Sequence, residues 1–363
     1  MEKLTDRQLN RATLSRQMLL ERAEMGLVEA VDRLIGLQGQ VSEGPYQGLW
    51  SRLRNFRHEE LTALIVERTL VRATSFRATL HLHTVDDLIG IRPHVQPTLE
   101  RMWKSAFGNR RFGDNDVRTV HRAGRKLLNK GPMTGGQLGK ALQEKFPDGE
   151  PLAKSVLLQV KEILVQIPPT RVWGSGHAPI LTPIENWVPE PHKRPMRLED
   201  LVLRYLRAYG PASIMDMQSW SGISKLGAAF AKVREQLVEF EGEDGRPLFD
   251  LADAPRPDAD TPAPPRFLPD FDNVLLGFGD RTRIVSDADQ KRLTELTRSF
   301  RAVLVDGFVA AGWSIARKKG HATLTVTPFR KLLKRDIRDI EREGAAFLDF
   351  MDPDAKGAVV VSP

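Results

Sequence analysis

The feature that most narrows the fold is an order of elements that recurs three times along the chain: helix, sharp turn, helix, then short strands. In the first pass, Thr5 followed by Gln8 is a capping-box pattern, predicting a helix over about Asp6–Leu20. Val28, Val31, Leu34 and Ile35 keep helical spacing up to Leu37-Gln38-Gly39-Gln40. A helix near Glu59–Glu67 precedes a β-rich run, Val71–Thr84, in which Phe76, Ala78, Leu80 and Leu82 occupy alternate positions. In the second pass, a helix over Val117–Leu128 stops at Gly131-Pro132, and Thr134 with Gln137 caps the next one. A further helix, about Ser155–Ile167, is expected to stop at Pro168-Pro169. Strands at Arg171–Trp173 and Pro179–Ile184 would then flank the turn Gly174–His177. The third pass runs Leu201–Ala208, breaks at Tyr209-Gly210-Pro211, and resumes over Ser213–Trp220 and Ser224–Phe240.

Helices followed by strands are the order of a winged-helix unit. The expected class is therefore α+β, with three tandem winged-helix units at 1–115, 116–196 and 197–270. A β-rich region follows at 271–363. Within it, residues 302–313 and 321–329 alternate, and Arg317-Lys318-Lys319-Gly320 supplies a tight turn. An amphipathic helix, Pro328–Phe347, is expected to close the chain.

A hydrophobic fraction of 41% with 28% charged residues excludes wholesale disorder, and 363 residues suffice for two or three domains. The chain has no cysteine, which excludes disulfides, thiolate metal sites and cysteine nucleophiles. No Walker A loop, HExxH, GxSxG or properly placed GxGxxG occurs. No cofactor or metal is expected. The first ten residues are charged where a signal peptide needs an apolar core, and no apolar run is long enough to span a bilayer, so a cytoplasmic protein is expected.

The net charge of +7 is unevenly spread. Residues 101–130 hold nine Lys and Arg against Asp114 and Asp116. Residues 241–272 hold nine acidic side chains against three arginines, together with seven prolines, and read as an extended, self-repelling linker or a long surface loop. A polyanion-binding face and a helix pair with a solvated basic face both fit the basic segment.

Several residues admit two readings. His81 and His83 share one face of a strand; without ligand spacing elsewhere, buried strand histidines fit better than a metal site. Arg317, Lys318, Lys319 and His321 flank a hairpin tip, suited either to phosphate or groove contact or to blocking edge pairing. The basic loop His192-Lys193-Arg194 has the same standing. Asp280-Arg281 reads as an internal ion pair or as part of the active cleft, the structural role fitting better. Trp50, Trp220 and Trp313 read as core.

Five blocks carry a resemblance. Residues 34–53, LIGLQGQVSEGPYQGLWSRL, closely resemble the signature of the AlkZ/YcaQ-like winged-helix DNA glycosylases. RATLHLHTVDD (77–87), YGPASIMDMQSWSGI (209–223), FLPDFDNVLLGFGDRTRI (267–284) and LVDGFVAAGW (304–313) are similar to later blocks of that family. The resemblance implies a C-shaped clamp of three winged-helix units around duplex DNA. It also implies hydrolysis of the N-glycosidic bond of alkylated purines, including bulky adducts and interstrand crosslinks, by a Gln-x-Gln or Gln-x-Asp pair. Gln38-Gly39-Gln40 matches the first form, with glycine where alanine is expected, which would hold the pair less rigidly. Arg77 and His81 lie in the second block and are carried over as DNA-contacting or site-positioning candidates, beside Arg317, Lys318, Lys319, His321, Lys193 and Arg194.

Two glutamines are chemically modest. A carboxamide does not titrate near neutral pH, so it orients water but is not a general base. A purine alkylated at N7 carries a positive charge and is already a good leaving group, so placing water and stabilising charge suffice. In a helix, residues two apart diverge by about 200°; in an extended segment they share a face. The helix is therefore expected to end near Gln38. A monofunctional glycosylase acting as a monomer on duplex DNA with alkylated purines is the leading expectation, the alternative being a non-catalytic winged-helix DNA binder.

Overall fold

The computed structural model describes residues 2–189, 194–297 and 301–362. Helices surround three sheets, an α+β architecture. The largest sheet has six antiparallel strands in the order Leu37–Gln38, Leu80–Thr84, Leu70–Thr74, Leu164–Ile167, Ile180–Pro183 and Met133–Thr134. Strands from both sides of residue 115 thus share one sheet. A five-stranded sheet runs Arg266–Leu268, Ala302–Val305, Phe308–Lys318, His321–Pro328 and Lys356–Val361. A small third sheet joins Glu2–Leu4 to the hairpin Leu237–Gly242 and Pro247–Leu251.

The first helix, Asp6–Arg16, has the expected capping box: the Thr5 hydroxyl accepts from the Gln8 N–H, and the Gln8 side chain accepts from the Thr5 N–H at 2.8 Å. The helix ends earlier than its apolar pattern suggested. Its arginines explain what becomes of the acidic, proline-rich segment. Arg7 Nε donates to Ala259 O (2.7 Å), Arg11 Nε to Thr261 O (2.7 Å), and Arg16 Nη2 to Pro255 O (3.1 Å). A proline-rich strap cannot join a ladder, so its carbonyls take guanidinium donors instead. Part of the acidic stretch is strand, and the rest is tied down, so it is not a free connector.

Helix Val85–Phe107 spans 23 residues despite Pro93 and Pro97. An interior proline costs about 3 kcal/mol. Leu88, Ile91, Val95 and Leu99 bury one face, each contributing roughly 1.5–3 kcal/mol, which offsets that cost.

Other expectations are corrected. The segment predicted as one helix over Ser155–Ile167 is helix Pro151–Lys161 followed by strand Leu164–Ile167. Arg171–Trp173 is not a strand. Ser224–Phe240 is a short helix, Gly227–Lys232, leading into the strand Leu237–Gly242. The last helix, Lys334–Met351, does not close the chain, because Lys356–Val361 adds a parallel strand beside His321–Pro328. Helices Val117–Leu128 and Gly135–Lys145 stand as predicted, the second with its capping box. Trp220 and Trp313 are core, with Trp50 packed on the margin. Among the described residues no helix is long and apolar enough to cross a membrane.

Candidate active site

Helix Leu27–Arg33 stops before the glutamine pair, because Ile35 (φ 56°) and Gly36 (φ 92°) turn the chain through the left-handed region. Gly36 is required there: a Cβ would sit 2.4 Å from His83 Nδ1. The helix thus ends at Arg33 rather than near Gln38, and Gln38 lies in a strand. Leu37 and Gln38 pair with Leu82 and His81, and the Gly39 N–H donates to Leu80 O at 2.7 Å. The strand ends at Gln38 and Gln40 lies in a bend, yet both residues stay beside the Leu80–His81 segment, Gln38 in register with His81 and Gln40 through its side chain near the Leu80 N–H.

The two amides differ. Gln38 is buried, and its Oε1 accepts from Arg77 Nη2 at 2.8 Å. Gln40 is exposed, its Oε1 only 3.4 Å from the Leu80 N–H. Neither amide nitrogen has a hydrogen-bond partner among the described residues. Arg77 also donates through Nη1 to Trp220 O, near the C-terminus of helix Ile214–Ser221, where a cation is favoured. Arg77 (φ 52°) and Ala78 (φ 57°) both hold left-handed backbone, a strain of about 1–3 kcal/mol each. Burial, with a nearby Arg281, lowers the Arg77 pKa to about 10. The guanidinium therefore faces inward, toward Gln38 and the helix end.

His81 is the register partner of Gln38. Its Nδ1 lies 3.1 Å from Thr79 O; a carbonyl can only accept, so Nδ1 carries the proton and Nε2 holds the lone pair. Burial, then the Arg77 and His83 charges, hold His81 well below its ordinary pKa, so the ring is neutral at pH 7. His83 Nε2 lies 2.8 Å from Ser75 Oγ, and burial lowers its pKa to about 4 from 6.5. An unfolded chain thus binds protons at His83 that the native protein refuses between pH 6.5 and 4. Stability is expected to fall as pH drops through that window and to be flat above it on this account. A His83→Gln variant should show a shallower acid decline in urea midpoint, and an unchanged decline would contradict the assignment.

Gly39 is not slack. A Cβ there would lie 3.1 Å from Arg72 Nε, so the arginine occupies the room an alanine methyl would need. Gly39→Val is expected to destabilise by about 1–3 kcal/mol through overpacking, read by thermal unfolding. Arg72 is buried, donates through Nη2 to Ser42 O at 3.2 Å, and has its pKa lowered by burial to about 10.

The structure brings Gln38, Gln40, Arg77 and His81 together. The basic hairpin forms as expected. Lys318 pairs with His321 across Lys319 (φ 47°) and Gly320 (φ 77°), a type I′ turn. Arg317 Nε donates to Asp352 at 2.6 Å, and the Glu43 charge also reaches it, which places the hairpin base beside the exit of the glutamine loop. Lys193 lies outside the described residues, and Arg194 is exposed. Asp280 pairs with Arg246 and accepts from Thr282, not from Arg281, which corrects the expected ion pair. Arg72 and Arg171 were not singled out by sequence, and Arg281 was singled out only beside Asp280; the one available signal for the first two was a charge inside an apolar strand, Leu70–Thr74, at Arg72. No metal-holding group of three or more His, Cys, Asp or Glu occurs among the described residues.

The profile of the family described as "DNA glycosylase AlkZ-like" matches residues 31–350. The chain is 25% identical over 367 residues to an "Interstrand DNA cross-link repair glycosylase" of Streptomyces sahachiroi, covering 92% of each. Its fold is similar to that of the Streptomyces sahachiroi DNA glycosylase AlkZ, with a TM-score of 0.79 at 21% identity over 99% of this chain and 100% of that one. The matched span takes in the glutamine loop, the Arg77–His81 strand and the hairpin, and on that extent the chain belongs to the AlkZ-like DNA glycosylase family.

Proposed function

We propose that this protein is a monofunctional, monomeric DNA glycosylase that hydrolyses the N-glycosidic bond of N7-alkylated, cationic purines, with Gln38 and Gln40 positioning the attacking water. The observation that carries the reading is that Gln38 and Gln40 both lie beside the Leu80–His81 segment, with the Gln38 amide fixed by Arg77. No carboxylate hydrogen-bonds to Gln38, Gln40, Arg77 or His81 among the described residues, so the site suits a leaving base that needs no protonation. Arg77 on Oε1 polarises the Gln38 amide and leaves its N–H groups to donate to water or sugar. Gln40, exposed and weakly bonded, can accept from the same water. The relative named for interstrand cross-link repair supports extending the substrate range to bulky adducts and crosslinks.

We assign the three helix–strand passes to winged-helix units, with boundaries near 115, 196 and 270, that clamp duplex DNA in a C shape. On this reading Lys318, Lys319 and His321 at the hairpin tip contact the duplex, as do Lys193 and Arg194. Lys318→Ala and Lys319→Ala are each expected to weaken duplex binding uniformly across sequences and to reduce the salt slope by about 0.9 per lost phosphate contact. A titration of affinity against salt reads this; unchanged slopes would remove the hairpin from the interface.

The direct test incubates the protein with a duplex containing N7-methylguanine and separates the products. Free modified base is expected, with the strand intact until alkali is added. Strand cleavage without alkali would reveal a lyase. Binding without base release would leave a non-catalytic duplex binder.

A further inference from the structure

Several guanidiniums withdrawn from solvent in this fold have carboxylate partners, Arg16 with Asp250, Arg52 with Asp272 and Arg204 with Asp87, while Arg92 and Arg283 spend their donors on backbone carbonyls. Around the Gln38–Ser42 loop, arginines without a carboxylate partner lie close to one another and leave donors unpaired. Arg72, Arg77, Arg171 and Arg281 form no ion pair among the described residues. They fall into two couples. Arg72 and Arg171 converge on Ser42, the first on its carbonyl at 3.2 Å, the second on its hydroxyl at 3.0 Å. Nε of each, and Nη1 of Arg72, is sealed without an acceptor.

The second couple straddles helix Ile214–Ser221. Arg77 bonds Trp220 O near one end, and the segment carrying Arg281 docks near the other through the Gly279 N–H on Asp216 at 2.9 Å. Arg281 itself makes no side-chain hydrogen bond among the described residues. Within each couple the charges interact unfavourably, Arg171 on Arg72 and Arg281 on Arg77. Each couple also divides its labour. The deeply buried member holds the loop, while Arg171 and Arg281 are only partly buried and keep donors to spare.

A like-charged cluster without counter-charge calls for an anion. It would also repel a cationic base and the positive charge that develops on the sugar, unless something negative lies between. Backbone phosphates supply that charge, and the guanidinium fork fits them bidentately.

We propose that Arg171 and Arg281 each receive one backbone phosphate of the lesion strand, on opposite sides of the nucleotide whose sugar faces Gln38 and Gln40, with Arg72 and Arg77 as positioning residues behind them. Placing the sugar there rests on the glycosylase reading; the two anion sites do not. The experiment scans single neutral methylphosphonate linkages along a duplex carrying a non-cleavable 7-deaza-7-methylguanine, and measures affinity for the wild type, Arg171→Gln and Arg281→Gln.

The wild type is expected to lose about tenfold in affinity at one linkage on each side of the lesion. Each variant should bind the unmodified duplex about tenfold more weakly, become indifferent to one of those two linkages, and show a salt slope reduced by about 0.9. A wild type indifferent to all linkages overturns the proposal without any variant needing to fold. So do variants that stay sensitive at both positions. Base release from an N7-methylguanine duplex is measured in parallel. Release without linkage sensitivity refutes the phosphate sites alone, and linkage sensitivity without release refutes the glycosylase reading alone.

Discussion

Gln38→Ala is expected to cut release of free modified base by at least about 100-fold, the scale on which losing one positioned polar group acts in other hydrolytic sites. Duplex affinity should stay within about twofold, because the proposed reading sets the buried amide against the reacting sugar rather than the phosphates. The alanine also strands Arg77 Nη2, which now donates to Gln38 Oε1 at 2.8 Å, at a cost of about 1–3 kcal/mol. Gln38→Met strands Arg77 equally but fills the side-chain volume, and so separates loss of the amide from loss of packing. It should lose release as alanine does while recovering part of the packing. Wild-type release by the alanine variant would dismiss the glutamine as a catalytic residue.

The largest stability effect is expected away from the chemistry, at Asp272. Its carboxylate holds Arg52 in a bidentate pair at 2.7 and 2.8 Å, both side chains fully buried. The same carboxylate accepts the Val274 N–H at 3.0 Å and so caps a short C-terminal helix. The pair fastens helix Gly44–Trp50, which follows the glutamine loop, to the C-terminal block. Asp272→Ala leaves a buried, uncompensated guanidinium, and a loss of about 3–5 kcal/mol is expected. That is a large share of the 5–15 kcal/mol typical of a folded domain. Urea denaturation reads it. The double variant Arg52→Met with Asp272→Leu, which removes both charges, should recover most of the loss. A single-variant shift below about 1 kcal/mol would mean that water reaches Arg52.

Local chemistry was the legible part of this chain. Capping boxes at Thr5 and Thr134 place their helices because both partners lie three residues apart. The hairpin at Lys319-Gly320 is fixed by its own turn. What stayed hidden depends on distant partners. Helix Val85–Phe107 contains two prolines that local propensity forbids, and its packed face overrides them. The proline-rich strap reads as a loose connector until Arg7, Arg11 and Arg16 reach its carbonyls across some 240 residues. In the site, Gln38 and Gln40 were legible through resemblance, and the need for extended backbone through geometry. The left-handed turn at Ile35-Gly36 that meets this need was not, because what demands glycine there is the His83 ring on the neighbouring strand. Arg72 filling the space over Gly39 was invisible for the same reason.

On the proposed reading the leaving base supplies its own positive charge, since no carboxylate hydrogen-bonds to Gln38, Gln40, Arg77 or His81 among the described residues. The measurement that bears on it most directly compares two duplexes alike except at the base: N7-methylguanine, which is cationic, and 7-deaza-7-methylguanine, which is neutral and similar in shape. Similar binding to both is expected, with free base released only from the first. Release of the neutral base at a comparable rate would contradict the account and require a proton donor at the leaving group.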